Sequence, residues 1–291
     1  MVKKILLIIL VALPLSNYAQ IGGRGVFSFL NLSPSARSTG LGTNQIAIRD
    51  YDLALAYSNP SLLNKQMSQT VVLNYIPIFA GINMGYAAYG WQSTKGPWQA
   101  GLMYINYGKF DGYDETGAST GQFNASDYAF VAGHSREIGN NFNVGANAKF
   151  ILSQYENFTS TGIALDLGTT WADTSGLTAA SFLIRNIGTQ LTTYDGVREN
   201  LPIELMAGIT HKLRYAPFRL GLIIHNIQTP DISYINTNSR EQRINIETGE
   251  PEEQKISVGD KIFRHVILST ELVFGKGFQI RFAYNHQRRQ E

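Results

Sequence analysis

From Thr70 onward the chain repeats one unit: about ten to thirteen residues in which apolar and polar positions alternate, closed by a turn rich in Gly, Asn, Asp or Pro. Alternation with a period of two belongs to a strand with two unlike faces. It predicts eleven strands, at approximately 70–76, 81–92, 97–109, 126–138, 141–155, 161–172, 176–187, 203–214, 217–228, 262–274 and 277–287. In the fifth, Phe142, Val144, Ala146, Ala148, Phe150 and Leu152 interleave with Asn143, Gly145, Asn147, Lys149 and Ser153. In the eighth, Ile203, Leu205, Ala207 and Ile209 oppose Glu204, Gly208, Thr210 and Lys212. Strands of globular sandwiches average about five or six residues, whereas about 9 to 11 suit a tilted bilayer crossing. The polar faces carry Lys149, Asp166, Glu204, Lys212, Glu271 and Arg281, which would line an enclosed interior while the apolar faces meet lipid.

Connection lengths point the same way. Links at 93–96, 139–140, 173–175, 215–216 and 275–276 are short, and those at 110–125, 188–202 and 229–261 are long and polar. Short periplasmic turns and long surface loops are the arrangement of outer-membrane barrels. The predicted fold class is therefore all-β, a transmembrane antiparallel β-barrel occupying 70–291. Eleven strands entered from the periplasm finish at the cell surface, yet bacterial single-chain barrels have even strand numbers, and an open edge in lipid costs several kcal/mol per unpaired group. The expectation is a C-terminally incomplete barrel, with residues 287–291 opening a further surface loop.

The first strand is preceded by two segments of different character. Met1-Val2-Lys3-Lys4, the apolar run from Ile5 to Leu15 and the small residues up to Ala19 read as a signal peptide over 1–19, followed by export. Residues 20–69 carry Ala36-Arg37-Ser38-Thr39-Gly40-Leu41-Gly42, a short helical stretch at about 50–57, and Ser58-Asn59-Pro60, where proline disfavours helix in the residue before it. This segment is expected to form a plug.

Composition changes the picture in three places. With 28 Gly, 15 Tyr, 15 Phe and only 16% charged residues, the chain is more aromatic and less charged than a soluble domain of its size, as aromatic girdles and tight turns would require. Absence of cysteine excludes disulfides and thiolate metal sites. A net charge of +2 without any dense basic tract points away from nucleic acid.

Ala36-Arg37-Ser38-Thr39-Gly40-Leu41-Gly42, followed by Tyr57-Ser58-Asn59-Pro60-Ser61-Leu62-Leu63, resembles the amino-terminal signature of the PorV/PorQ family of type IX secretion barrels, nearer its PorQ branch. These barrels are relatives of the FadL-like fatty-acid transporters. The motif covers residues 36–63, and Ser61 stands where PorV-like members place alanine. The resemblance implies a FadL-like barrel of about 14 strands in the full chain, an N-terminal luminal plug and a Bacteroidota-type outer membrane. It also implies a place in the surface attachment complex with PorZ-like, PorU-like and PorV-like partners.

Candidate chemistry is sparse. Gly40-Leu41-Gly42 lacks the third glycine and preceding strand of a dinucleotide loop, and reads as a plug turn. His211 and His225 could face each other on neighbouring strands, but no carboxylate stands at ligand spacing. Asp111, Asp114 and Glu115 could gather calcium, against the plainer reading of a solvated loop. No Gly-x-Ser-x-Gly element is present, and neither cofactor, metal nor enzymatic activity is expected. The structural residues of the plug are Ala36, Arg37, Gly40, Gly42, Asn59 and Pro60; Arg37 and Asn59 are candidates to hydrogen-bond a charged or polar wall, Arg37 through a luminal carboxylate, against the plainer reading that Arg37 faces water in the lumen. The loop from Thr229 to Lys261, with Arg240, Arg243, Glu247 and Glu252, is the candidate docking surface, weighed against disorder. The expected function is a non-catalytic outer-membrane component anchoring a partner through its loops. Transport of hydrophobic small molecules in the FadL-like manner is the alternative, and a general porin is disfavoured by the fifty residues before the first strand.

Overall fold

The structure is a computed structural model and describes residues 25–233, 256–274 and 278–290. The signal segment 1–19 and the turn at 275–276 lie outside them. Eleven strands form one sheet: β1 (Thr70–Pro77), β2 (Asn83–Ser93), β3 (Gly96–Tyr113), β4 (Ser119–Ile138), β5 (Phe142–Tyr155), β6 (Phe158–Ala172), β7 (Thr178–Thr192), β8 (Glu204–Lys212), β9 (Phe218–Ile224), β10 (Val266–Phe274) and β11 (Phe278–Asn285). Each pairs antiparallel with the next in chain order, and β1 and β11 are not paired with each other, so the sheet is all-β, sequential and open. Among the described residues no helix is long and apolar enough to cross a membrane.

The eleven expected strands are all present, with shifted ends. β3 and β4 run through most of the link expected at 110–125, which shrinks to a tight turn at 114–118. A register shift between Asn106 and Lys109 breaks the period-two pattern there, so alternation could not be followed past it. β7 likewise continues to Thr192, beyond the predicted 187. The strand expected from 262 starts at Val266, because 258–264 form helix α3 (Val258–Arg264), capped by the Ser257 hydroxyl accepting from Asp260 N. β9 ends at Ile224 rather than 228 and β11 at Asn285 rather than 287, and a short helix α4 (His286–Gln290) stands where a loop was expected to open at 287. The links at 78–82 and 156–157 are short too, so length asymmetry between the two ends of the sheet rests on 193–203 and 225–265.

The burial pattern is inverted relative to a soluble sheet. Along one face Leu73 is 76% and Phe282 62% exposed, with Phe130, Phe150, Ile163, Leu165 and Leu167 also open. On the other face Asn147 and Asp166 are fully buried, with Lys149, Glu204 and Glu271. Water favours the opposite arrangement, so the exposed apolar face calls for an apolar surrounding.

The polar face is covered by residues 25–69. This segment has little regular structure: α1 (Ala36–Gly40), α2 (Leu55–Ser58) and short 3-10 turns. The predicted helix at 50–57 is reduced to 55–58, where Asn59 ends it ahead of Pro60. The segment starts at the loop end of the sheet, where Val26 N donates to Asn200 O at 3.1 Å. It reaches the turn end, where Arg49 pairs with Glu137 at 2.9 Å, and enters β1 from there. Phe29, Leu30, Leu53, Tyr57, Leu63 and Met67 pack against Met84, Met103, Ile105, Val131 and Ile151 of the sheet in one apolar core. Met84, Met103, Ile105 and Ile151 thus make part of the inward face apolar.

Close approach makes Gly145 a seat for the segment. A Cβ there would collide with the backbone of Pro60 and Ser61. We predict that Gly145→Val lowers the unfolding free energy by ~1–3 kcal/mol in urea titrations. An unchanged midpoint would show that Pro60 does not rest on β5.

Candidate functional site

A non-regular segment buried against a sheet leaves its carbonyls without helix or ladder partners, and each must find one. The polar face of the sheet provides them. Asn147 Nδ2 donates to Ala56 O at 3.0 Å and to Tyr57 O at 3.3 Å, and Gln99 Nε2 reaches the same Ala56 oxygen at 3.0 Å. Asn143 Nδ2 donates to Ser61 O at 2.6 Å and Leu63 O at 3.0 Å, while Ser135 Oγ donates to Leu63 O at 2.7 Å. Asn74 holds Pro34 O at 2.8 Å, and Thr210 holds Ala47 O at 2.7 Å. Strands β1, β3, β4, β5 and β8 thus take part in one seat.

Charge closes the seat at its turn end. Arg37 grips Glu271 of β10 with Nε and Nη2, both at 2.9 Å, and turns Nη1 and Nη2 to Asp50 at 3.1 and 2.7 Å. Arg219 and Arg281 bond the same Glu271 at 2.7 and 2.9 Å. Burial alone pulls the Arg37 guanidinium down; hydrogen bonds to Glu271 and Asp50 outweigh it and hold the group charged above its ordinary range. The planar fork lets one side chain join two carboxylates from different parts of the chain.

A second ionic cluster is built by a bulge. Asp166 of β6 faces both Arg185 and Asn186 of β7, where the register shifts and Asn186 takes φ 60. Both side chains therefore point to the buried face. Lys149 Nζ pairs with Asp166 at 2.7 Å and donates to Asn186 Oδ1 at 2.9 Å, and lies 5.0 Å from the centre of the Tyr57 ring. Burial pushes the Tyr57 hydroxyl well above its usual range, so it stays protonated. Arg185 pairs with Glu204, which also has His225 Nδ1 at 3.7 Å. Asp127 is held by hydroxyls alone among the described residues: Tyr107 at 2.6 Å, Tyr155 at 3.1 Å and Ser153.

The sequence-predicted residues fall as follows. Arg37 lies in the ionic cluster, and Ala36 opens α1 beside it. Gly40 ends α1 against the Arg281 side chain, and Gly42 adopts φ +92 where a Cβ would strike Ile267. Asn59 packs on the wall without hydrogen-bonding to it: its Oδ1 lies where a Cβ of Gly168 would be and accepts from Ser61 N and Oγ, and its Nδ2 donates to Ile46 O at 2.7 Å. Capping the turn that starts at Pro60 uses its oxygen, and Ser61 makes the wall hydrogen bond instead, to Thr170 at 2.7 Å. His211 and His225 do not face each other. His211 is exposed on β8 and meets Thr178 at 2.9 Å, whereas His225 is buried beside Glu204. Asp114 accepts from Thr116 and Ala118 within its own turn, whereas Asp111 accepts from Gln122 opposite it on β4. Arg240, Arg243, Glu247 and Glu252 lie outside the described residues. Among those described, no group of three or more His, Asp or Glu is arranged to hold a metal. The amide seat went unforeseen, although its donors Asn143 and Asn147 stood in the pattern as a polar face.

Beneath Arg219 lies a polar cleft of ≈ 330 Å³ at the turn end, lined also by Arg49, Asp50, Lys65 and Glu137. No protein-family model matches the chain, and no curated protein matches it either.

Removal of Glu271 takes a shared carboxylate from three guanidinium groups, leaving Arg37 and Arg219 on Asp50 and Arg281 on Gln279. Glu271→Ala is expected to cost about 3–5 kcal/mol, as for a buried ion pair deprived of one partner. Asn147→Ala, which orphans Tyr57 O and leaves Ala56 O to Gln99 alone, is expected to cost about 1–3 kcal/mol. Equilibrium unfolding of both variants checks the order, and equal stabilities would contradict it.

Proposed function

We propose that the chain forms the wall and N-terminal plug of an outer-membrane β-barrel of the PorV/PorQ type. In this reading it is a non-catalytic component of type IX secretion that holds a PorZ-like, PorU-like or PorV-like partner at the cell surface. One observation carries the membrane part: an exposed apolar sheet face backed by a buried polar one. Outward positions of β5 are apolar from Phe142 to Leu152 and turn polar at Gln154. Ten steps cover ~34 Å of strand and, at a tilt of ~45°, ~24 Å of bilayer, the height of a lipid-facing band. Aromatic pairs border it, Tyr104 with Tyr128 towards the loop end and Phe142 with Trp171 towards the turns. Girdles of this kind mark the two interfaces of membrane barrels.

Anchoring is favoured over FadL-like transport by the filling of the interior. Transport needs inward apolar surface open to a ligand, whereas Met84, Met103, Ile105 and Ile151 are covered by Phe29, Leu30, Tyr57 and Leu63. The plug is bonded across the wall from β1 to β10, so it acts as a fixture. The resemblance at residues 36–63 supplies the secretion role and the PorV/PorQ name, and the long link between β9 and β10 supplies a place for a partner.

Two measurements test this reading. Leu165 lies outward beside Ala148, near the middle of the band. Leu165→Arg should destabilise the inserted state by ~2–4 kcal/mol, read as loss of the folded form from outer-membrane fractions; undiminished insertion would refute the membrane assignment. Deleting residues 234–255 should release the partner into the medium with the barrel still inserted. A partner retained by that variant would remove this loop as the docking surface.

A further inference from the structure

Helix α3 repeats the inversion of the sheet on a smaller scale. Its apolar residues face out: Val258 is 74%, Ile262 59% and Phe263 56% exposed. Its charged residues are consumed within the protein. Arg264 is buried and donates to Asp260 at 2.7 Å, and Lys261 pairs with Asp231 at 2.6 Å. The other oxygen of Asp260 meets His286 Nε2 of α4 at 2.6 Å, which ties the two helices together.

The direction of the apolar face follows from ring contacts. Tyr284 is an outward residue of β11, and its hydroxyl meets His286 Nδ1 at 2.7 Å. The His286 ring lies 5.9 Å from that of Tyr284 and 6.2 Å, edge to face, from that of Phe263. An unbroken aromatic path thus leads from the outer face of the sheet to α3. Beside it, Arg288 and Arg289 of α4 are exposed, the latter 3.5 Å from the Tyr284 hydroxyl. Apolar residues flanked by exposed cations, at the edge of a lipid-facing surface, are the composition of an interfacial helix on an anionic leaflet.

We propose that α3 and α4 form a lateral foot of the barrel, with Val258, Ile262 and Phe263 dipping into the acyl boundary of the outer leaflet and Arg288 and Arg289 holding the phosphate of an anionic lipid. The proposal rests on the membrane reading above. Continuity with the apolar wall and the paired arginines favour lipid over a protein partner.

The absence of cysteine makes the test direct, since each introduced thiol is the single labelling site. The full chain carrying Leu165→Cys, Ile262→Cys or Tyr215→Cys is spin-labelled and reconstituted in phosphatidylcholine vesicles with and without phosphatidylglycerol. Accessibility to oxygen reports lipid and accessibility to a nickel chelate reports water. Tyr215, 95% exposed in a turn, is the aqueous reference. The label at Ile262 should favour oxygen several-fold over the nickel chelate relative to Tyr215, and more so with phosphatidylglycerol. Adding Arg288→Gln and Arg289→Gln should abolish the phosphatidylglycerol increment and leave Leu165 unchanged. A water-accessible label at Ile262, with Leu165 in lipid, overturns the foot, as does a label shielded from both reagents, which would mean protein covers this face. Indifference to phosphatidylglycerol overturns the role of the arginines. A water-accessible label at Leu165 refutes the membrane reading itself.

Discussion

Everything in this fold depends on giving hydrogen-bond partners to a peptide that has almost no secondary structure of its own. About forty-five residues lie against the sheet from Gly25 to Gln69, with only short helical turns to satisfy their backbone. An orphaned buried carbonyl costs ~1–3 kcal/mol, so several left open would exceed the stability of an ordinary domain. Asn74, Gln99, Asn143 and Asn147 remove that cost by reaching from the strands to carbonyls of the segment. An amide side chain suits the task because it projects two donors from a short stem. The polar face of the sheet is thus shaped for one particular backbone, and water is the partner it gives up.

Ionic groups add direction to this seat. A buried ion pair is seldom a net source of stability, since desolvation consumes most of the attraction. Its effect is on choice of arrangement: a register of the segment that moved Arg37 would part its buried guanidinium from Glu271, the carboxylate that links it to the sheet. The bulge at Asn186 works in the same sense, because pointing both Arg185 and Asn186 inward lets one strand serve Glu204 and the Lys149–Asp166 pair together.

How much of this was legible depends on the range of the interaction concerned. All eleven strands followed from alternation, a local property that survives without knowledge of neighbours. Their ends did not follow where alternation was interrupted, as at the Asn106–Lys109 shift, or where a cap intervened, as at Ser257. Arg37 could be singled out because a lone guanidinium in an apolar and small-residue stretch has few possible uses. Asn59 was misplaced for the converse reason: an asparagine before proline has a local capping use that competes with any long-range bond. The amide seat stayed hidden because its acceptors are backbone carbonyls, which every sequence carries and none displays. α1 and α3 are five and seven residues long, too short for a helical period to establish itself over an alternating background.

Inversion at two scales also bears on how the surroundings select the fold. A sheet with Phe130, Phe150 and Leu165 outside is unfavourable in water by the area it leaves exposed, at ~25 cal/mol for each Å². An alternative that turned this face inward would set Lys149, Asp166, Arg185 and Glu204 against the medium outside, which water tolerates and lipid does not, and would leave the segment without its donors. Because the side-chain period in a strand is two, the exchange is all or nothing: a one-residue slip of register reverses both faces together. The arrangement seen is the one in which buried amides, buried ion pairs and outward apolar rings are satisfied at once, and it becomes the stable one when the medium outside is itself apolar.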